Sequence, residues 1–104
     1  SSAASDVYKR QVQKSYTKER SISYYADVLC VTPKYLSQIV HQVSGRFAGD
    51  WITDFVILEA KALLKSRKYT IQQVADMLHF ANQSFFGKYF KEKVGCSPSE
   101  YQRE

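Results

Sequence analysis

Sulfur, imidazole, proline and glycine are all scarce in this chain: its 104 residues include two cysteines, two histidines, two prolines and four glycines. Each shortage excludes something. Two thiols do not make the cross-linked framework of a small secreted domain, so Cys30 and Cys96 are expected to be buried structural cysteines. Neither CxxC nor HExxH spacing occurs, and no glycine-rich phosphate loop. The pairs Cys30–His41 and Cys96–His79 read more simply as core thiols and surface imidazoles, so no catalytic residue, no metal and no cofactor is assigned. No apolar run approaches the roughly 20 residues of a membrane span, and no signal-peptide pattern opens the chain. Alternation of period two, bounded by hairpin dipeptides, is absent as well, which argues against a sheet. The small polar run Ser1–Ser5 reads as a disordered lead-in or cloning remnant, leaving 6–104 as one domain.

What is abundant is positive charge and helix punctuation. Fifteen Lys and Arg against ten Asp and Glu give a net charge of +5, which favours a polyanionic partner through phosphate neutralisation. Thr70-Ile71-Gln72-Gln73 and Ser97-Pro98-Ser99-Glu100 have the capping-box form. Thr32-Pro33, Ser21 and Asn82 are further helix starts, while Gly45 and Gly95 mark stops. These signals predict an all-α chain with helices at 6–18, 22–29, 33–43, 48–66, 71–78, 83–94 and 98–102. The longest carries an apolar stripe of Trp51, Ile52, Phe55, Val56, Ala60, Leu63 and Leu64. Its start lacks a capping side chain, because Phe47 occupies the cap position.

The chain repeats itself at an offset of about 50 residues. Tyr35-Leu36-Ser37-Gln38 aligns with Phe85-Phe86-Gly87-Lys88, Val40 with Phe90, and Gly45 with Gly95. Upstream, Tyr25-Ala26 aligns with Val74-Ala75 and Leu29 with Leu78 at an offset of 49, so the second copy has one more residue in its turn. A short helix with a small Ala, a tight connection and a longer helix ending in Gly match the helix-turn-helix plan, whose second helix lies in a major groove. The two units are expected at 21–44 and 70–95, joined by the helix at 48–66.

Positions i, i+3, i+4 and i+7 share a helix face. In the first copy these are Lys34, Ser37, Gln38 and His41, backed by Leu36, Ile39, Val40 and Val43. In the second they are Ser84, Gly87, Lys88 and Lys91, backed by Phe86, Tyr89, Phe90 and Val94. Lys can donate to guanine, Gln can pair with adenine, and Ser can do either. Asn82 and Gln83, at the helix start, are within reach of bases or backbone. Thr32 and Tyr35 suit phosphate oxygens, as does Lys91. A central helix of about 25 Å, with helix widths added, would hold two reading helices near the 34 Å separation of successive major grooves. Two unlike faces imply an asymmetric double-stranded DNA site.

The run Tyr25-Ala26, Val31-Thr32, Tyr35-Leu36-Ser37, Gly45, Trp51-Ile52, Glu59-Ala60-Lys61 and Leu63-Leu64 resembles the DNA-binding domain of the AraC/XylS family. So, more specifically, do Ile71, Val74-Ala75, Leu78, Phe80, Ser84-Phe85-Phe86, Phe90-Lys91, Gly95, Ser97-Pro98 and Tyr101. The resemblance implies seven helices, two helix-turn-helix subdomains joined by a long helix, and transcriptional activation in the cytoplasm, on the nucleoid. It implies an N-terminal sensing or dimerisation region not expected within this chain, and RNA polymerase as a further partner. Carried over residue by residue, it places base reading at Lys34, Ser37, Gln38 and His41, and at Asn82, Gln83, Ser84 and Lys88. Two departures stand out. His79 replaces the family's usual Gly before the aromatic of the second turn, and Gly87 replaces a common Ser on the second reading face.

Three rival readings separate cleanly. An enzyme finds no constellation to use. A protein-interaction module requires a large exposed apolar patch, and most apolar positions already have a core assignment. RNA is disfavoured because a helix does not enter the narrow A-form major groove.

Overall fold

Helix boundaries follow the start and stop chemistry of the chain. The computed structural model describes residues 2–16 and 19–104, in seven helices: α1 Ser2–Ser15, α2 Ile22–Val28, α3 Pro33–Ser44, α4 Ala48–Ser66, α5 Ile71–Met77, α6 Gln83–Val94 and α7 Pro98–Arg103. No strand occurs among the described residues. Five starts are capped by the expected side chains. The oxygens of Ser21, Thr32, Thr70, Asn82 and Ser97 each accept from a backbone N–H two or three residues on, satisfying donors the helix leaves open. At Thr70 and Ser97 the side chains of Gln73 and Glu100 accept the cap N–H in return, at 2.8 and 3.3 Å. α4 uses the second half of that device alone: the Phe47 N–H donates to the Asp50 carboxylate at 3.1 Å.

Two expectations are corrected. Ser2–Ser5 open α1 rather than preceding it, and Ser5 is 1% exposed. Ser5, Tyr8 and Val12 share one helix face, so a small serine simply continues the buried stripe. Ser1, and positions 17 and 18 at the expected end of α1, lie outside the described residues. The thiols are not core groups either: Cys30 is exposed and Cys96 half-buried, both unpaired. Cys30 stands in the turn after α2, outside the helical stripes from which the core is built.

The chain divides into two compact units, one up to Phe55 and one from Val56 on. In the first, Tyr8, Val12, Tyr25, Ala26, Leu36, Val40, Ala48 and Ile52 are buried. Tyr8 meets Tyr25 edge-on at 5.7 Å, and its hydroxyl donates to the Ala48 carbonyl at 2.6 Å, fixing α1 to the start of α4. The Tyr25 hydroxyl donates to the Glu19 carbonyl at 2.6 Å. Burial, reinforced by Tyr24 and Glu19, pushes the Tyr25 phenol up to about 12. Burial raises Tyr8 further, with Tyr25 adding to it.

The second unit is built on Ala60, Leu64, Val74, Ala75, Leu78, Phe86 and Phe90. Its aromatic rings form a continuous chain, Phe80 to Phe86 at 5.2 Å, Phe86 to Phe90 at 5.9 Å and Phe90 to Tyr101 at 5.5 Å. In both units an i, i+4 pair on the preceding helix (Tyr8 and Val12, or Ala60 and Leu64) is fully buried, as is the alanine of the helix that follows, Ala26 or Ala75.

Candidate nucleic-acid interface

The sequence repeat is a repeat of backbone hydrogen bonds. After α2, Leu29 donates to Tyr25, Cys30 to Asp27 and Val31 to Ala26, at 3.0, 3.1 and 2.9 Å. After α5, Leu78 donates to Val74, His79 to Asp76 and Phe80 to Ala75, at 3.1, 3.0 and 2.9 Å. The six-to-one bond that closes each turn needs a left-handed residue before its donor, and Cys30 and His79 supply it with φ of +58° and +60°. The backbone behind the glycine that the family resemblance leads one to expect at 79 is therefore present, held by a non-glycine residue in both copies. The extra residue of the second copy is Ala81, which delays the cap from the position after Phe80 to Asn82. Both longer helices then stop at a left-handed glycine, Gly45 or Gly95.

This frame presents the candidate side chains to solvent. Lys34, Ser37, Gln38 and His41 on α3 are exposed, as are Asn82, Gln83, Ser84 and Lys88 at and along α6. Thr32, Tyr35 and Lys91 are exposed too. The opposite faces are held by buried Leu36 and Val40, and by buried Phe86 and Phe90. Ile39, Tyr89 and Val94 are half-buried, but Val43, expected in the core, is 46% exposed. It lies in the last turn of α3, two residues before the left-handed Gly45 that ends the helix.

Hydrogen bonding defines what each group still offers. Thr32 Oγ1 accepts from the Tyr35 N–H at 3.1 Å, so its hydroxyl remains a donor. Asn82 Oδ1 accepts from the Phe85 N–H at 2.9 Å, leaving its amide NH2 for a partner. His41 stacks flat on Phe47, centroids 4.9 Å apart and planes 7° apart, which orients the imidazole at the far end of the α3 face. Gly87 has no atom within 4 Å of the place a Cβ would occupy. Beside it a cleft of about 410 Å³ is lined by Gln83, Ser84 and Gly87 and by Ser97–Ser99 of the α7 start.

Two features of this face were not assigned from sequence. Phe85 is 61% exposed at the third position of α6, a large apolar group among polar ones. Its alignment with Tyr35, itself 45% exposed, was the available signal. The contribution of α7 to the cleft had none, because no helical spacing connects 83–87 with 97–99. Among the described residues no group of His, Cys, Asp and Glu could hold a metal ion, and no helix is long and apolar enough to cross a membrane.

Comparison with known proteins agrees with this geometry. The model of the helix-turn-helix domain family matches residues 25–104. The arabinose operon regulatory protein of Salmonella typhimurium is 33% identical over 81 residues, which are 78% of this chain and 29% of that protein. The chain thus spans under a third of the length of that relative. Among solved structures, the C-terminal domain of AraT, a response regulator from Geobacillus stearothermophilus, superposes with a TM-score of 0.89 at 27% identity, covering 96% of this chain and 84% of that one. The DNA-binding domain of AdpA, a global transcriptional factor solved in complex with a target DNA, shares the fold, with a TM-score of 0.82 at 16% identity over 95% of this chain and 89% of its own. With its two helix-turn-helix units joined by one long helix, the chain belongs to the AraC-type family of helix-turn-helix DNA-binding domains of transcription regulators.

Proposed function

We propose that this chain reads an asymmetric double-stranded DNA site, with α3 and α6 lying in successive major grooves, as the DNA-binding part of a larger cytoplasmic transcription activator. The observation that carries the reading is the duplicated turn. The same three backbone bonds and the same left-handed residue precede two capped helices, each with its polar face in solvent. The fold shared with the DNA-bound domain of AdpA supports it. Lys34, Ser37 and Gln38, with His41 at the far end, read one half of the site; Asn82, Gln83, Ser84 and Lys88 read the other. Thr32, Tyr35 and Lys91 hold phosphates and set the register. Phe85 has no hydroxyl to offer a phosphate, and its exposed ring suits the C5 methyl of a thymine. We include in this proposal RNA polymerase as a further partner and a sensing or dimerisation region N-terminal to this domain.

Selection from a random duplex pool, read at low and near-physiological salt, tests this. Two short, unlike motifs about one helical turn apart are expected. One motif alone would reduce α6 to a backbone contact. No enrichment, with weak binding indifferent to salt, would refute DNA reading and favour a protein partner.

A further inference from the structure

The second unit carries a cation-lined cavity apart from the residues assigned to reading. Arg67, Lys68, Thr70, Gln73, Gln102 and Arg103 border about 410 Å³, and no carboxylate lines it. None of these three cations is ion-paired among the described residues. Arg67 is held at the rim by one bond, Nη2 donating to the Gln102 carbonyl at 3.0 Å, which leaves the rest of its donor fork available. Thr70 Oγ1 and Gln73 Oε1 accept each other's backbone N–H in the capping box of α5, which leaves the Thr70 hydroxyl and the Gln73 NH2 as donors. The neighbouring acid, Glu100, is turned into the cap of α7: the Ser97 bonds first, then Lys91 and Arg103, hold its carboxyl below the ordinary range.

The cavity adjoins the reading face. The cleft lined by Gln83, Ser84 and Gly87 and this cavity both border the start of α5, through Ile71 in one and Thr70 and Gln73 in the other. They also border opposite ends of α7, Ser97–Ser99 in one and Gln102 and Arg103 in the other. A helix of six residues spans about 9 Å. The first helix of a helix-turn-helix crosses the DNA backbone, which puts the start of α5 near phosphates whenever α6 is in a groove.

The first copy lacks most of this charge. The repeat aligns Arg67 with Lys18, but Lys68 with Glu19 and Arg103 with Thr53. In sequence, the full set of three cations thus occurs only in the unit whose reading helix carries Gly87 in place of a side chain.

We propose that Arg67, Lys68 and Arg103 form a backbone clamp that neutralises DNA phosphate flanking the half-site read by α6. The proposal rests on the DNA-reading assignment and extends it from base edges to a charged anchor. The anchor offsets the contact that Gly87 does not make.

The test is the salt dependence of binding to the selected duplex, measured by fluorescence anisotropy between 50 and 200 mM salt. Replacing Arg67, Lys68 and Arg103 together by alanine should lower the slope of log K against log salt by about 0.9 for each phosphate released, with base preference unchanged. Arg67→Lys, which keeps the charge but not the fork, should keep the wild-type slope. A neutral methylphosphonate walked along the flank of the second motif should weaken the wild type at one position and leave the triple variant indifferent there. Lys68→Ala and Arg103→Ala, which break no internal hydrogen bond, carry the test should the triple variant lose helicity. A wild-type slope in the alanine variants, or a changed base preference, overturns the clamp. A wild type with no salt slope at all overturns the DNA reading itself, and the clamp with it.

Discussion

Replacing Cys30 by glycine should stabilise the protein, and the structure gives the magnitude. Cys30 has φ of +58°, where a side chain's Cβ crowds the following carbonyl at a cost of about 1–2 kcal/mol. Glycine adopts that conformation freely but gives up more freedom on folding, a cost of about 0.5–1 kcal/mol. The thiol is exposed, so little packing is lost. Both turn bonds, from the amide of Cys30 to Asp27 and from that of Val31 to Ala26, survive the change. The net expectation is a gain of about 0.5–1 kcal/mol, or roughly 2–8 °C in Tm for a domain of this size. Thermal unfolding followed by far-UV circular dichroism reads it. Cys30→Ala keeps the Cβ and should match the wild type, whereas Cys30→Val, β-branched at positive φ, should lose stability. A glycine variant that melts below the wild type would show that the left-handed turn imposes no net strain, and the reasoning would fail.

Four further outcomes follow from other parts of the molecule. Phe90→Ala removes a fully buried ring between Phe86 and Tyr101 and should cost about 3–5 kcal/mol in urea unfolding; an unchanged midpoint would take Phe90 out of the core. The phenols of Tyr8 and Tyr25 are raised above their ordinary value of 10.0, so their contribution is complete below that pH and is lost as pH climbs towards 12. Alkaline unfolding of the first unit should track tyrosinate absorbance, and Tyr25→Phe should remove part of that pH dependence. Gln38→Ala should weaken binding to the best site by about 1–3 kcal/mol and relax preference at one base pair, whereas equal loss on all sequences would make Gln38 a phosphate contact. Phe85→Ala should weaken binding only to duplexes that retain the relevant thymine methyl, so a uracil substitution at that position should abolish the difference between variant and wild type.

The seven helices were legible because their punctuation is explicit: hydroxyls and an amide at five starts, glycines at two stops. The start of α4 was read at 48, where it lies, although Phe47 brings no capping side chain; its N–H is met instead by an acid three residues on, bonding backward. Elsewhere, where punctuation was partial, the reading slipped. Ser2–Ser5 read as a lead-in by composition, although Ser5 stands at helical spacing from Tyr8 and Val12. Cys30 was placed in the core because two thiols make no disulfide framework, although the offset of 49 that pairs Leu29 with Leu78 sets it opposite His79 in the turn. The outward faces of α3 and α6 were legible from the helical wheel, since a capped helix of known register leaves little choice of which side faces solvent. The cation cavity was not, because it joins 67–70, 73 and 102–103, and no spacing rule connects them.

Gly87 has a consequence for how such a reader changes over time. Most positions of α6 are committed, to the core, to the cap or to a contact, so a substitution there risks fold and function together. Position 87 is looser: an added Cβ would meet nothing within 4 Å, and any residue but proline suits a helix interior better than glycine does. One codon change there would add a probe to the reading face and improve the helix at once. On the proposed reading of DNA by α6, the second unit thus keeps a vacant address digit, a place where its preference can be rewritten without first having to rescue its stability.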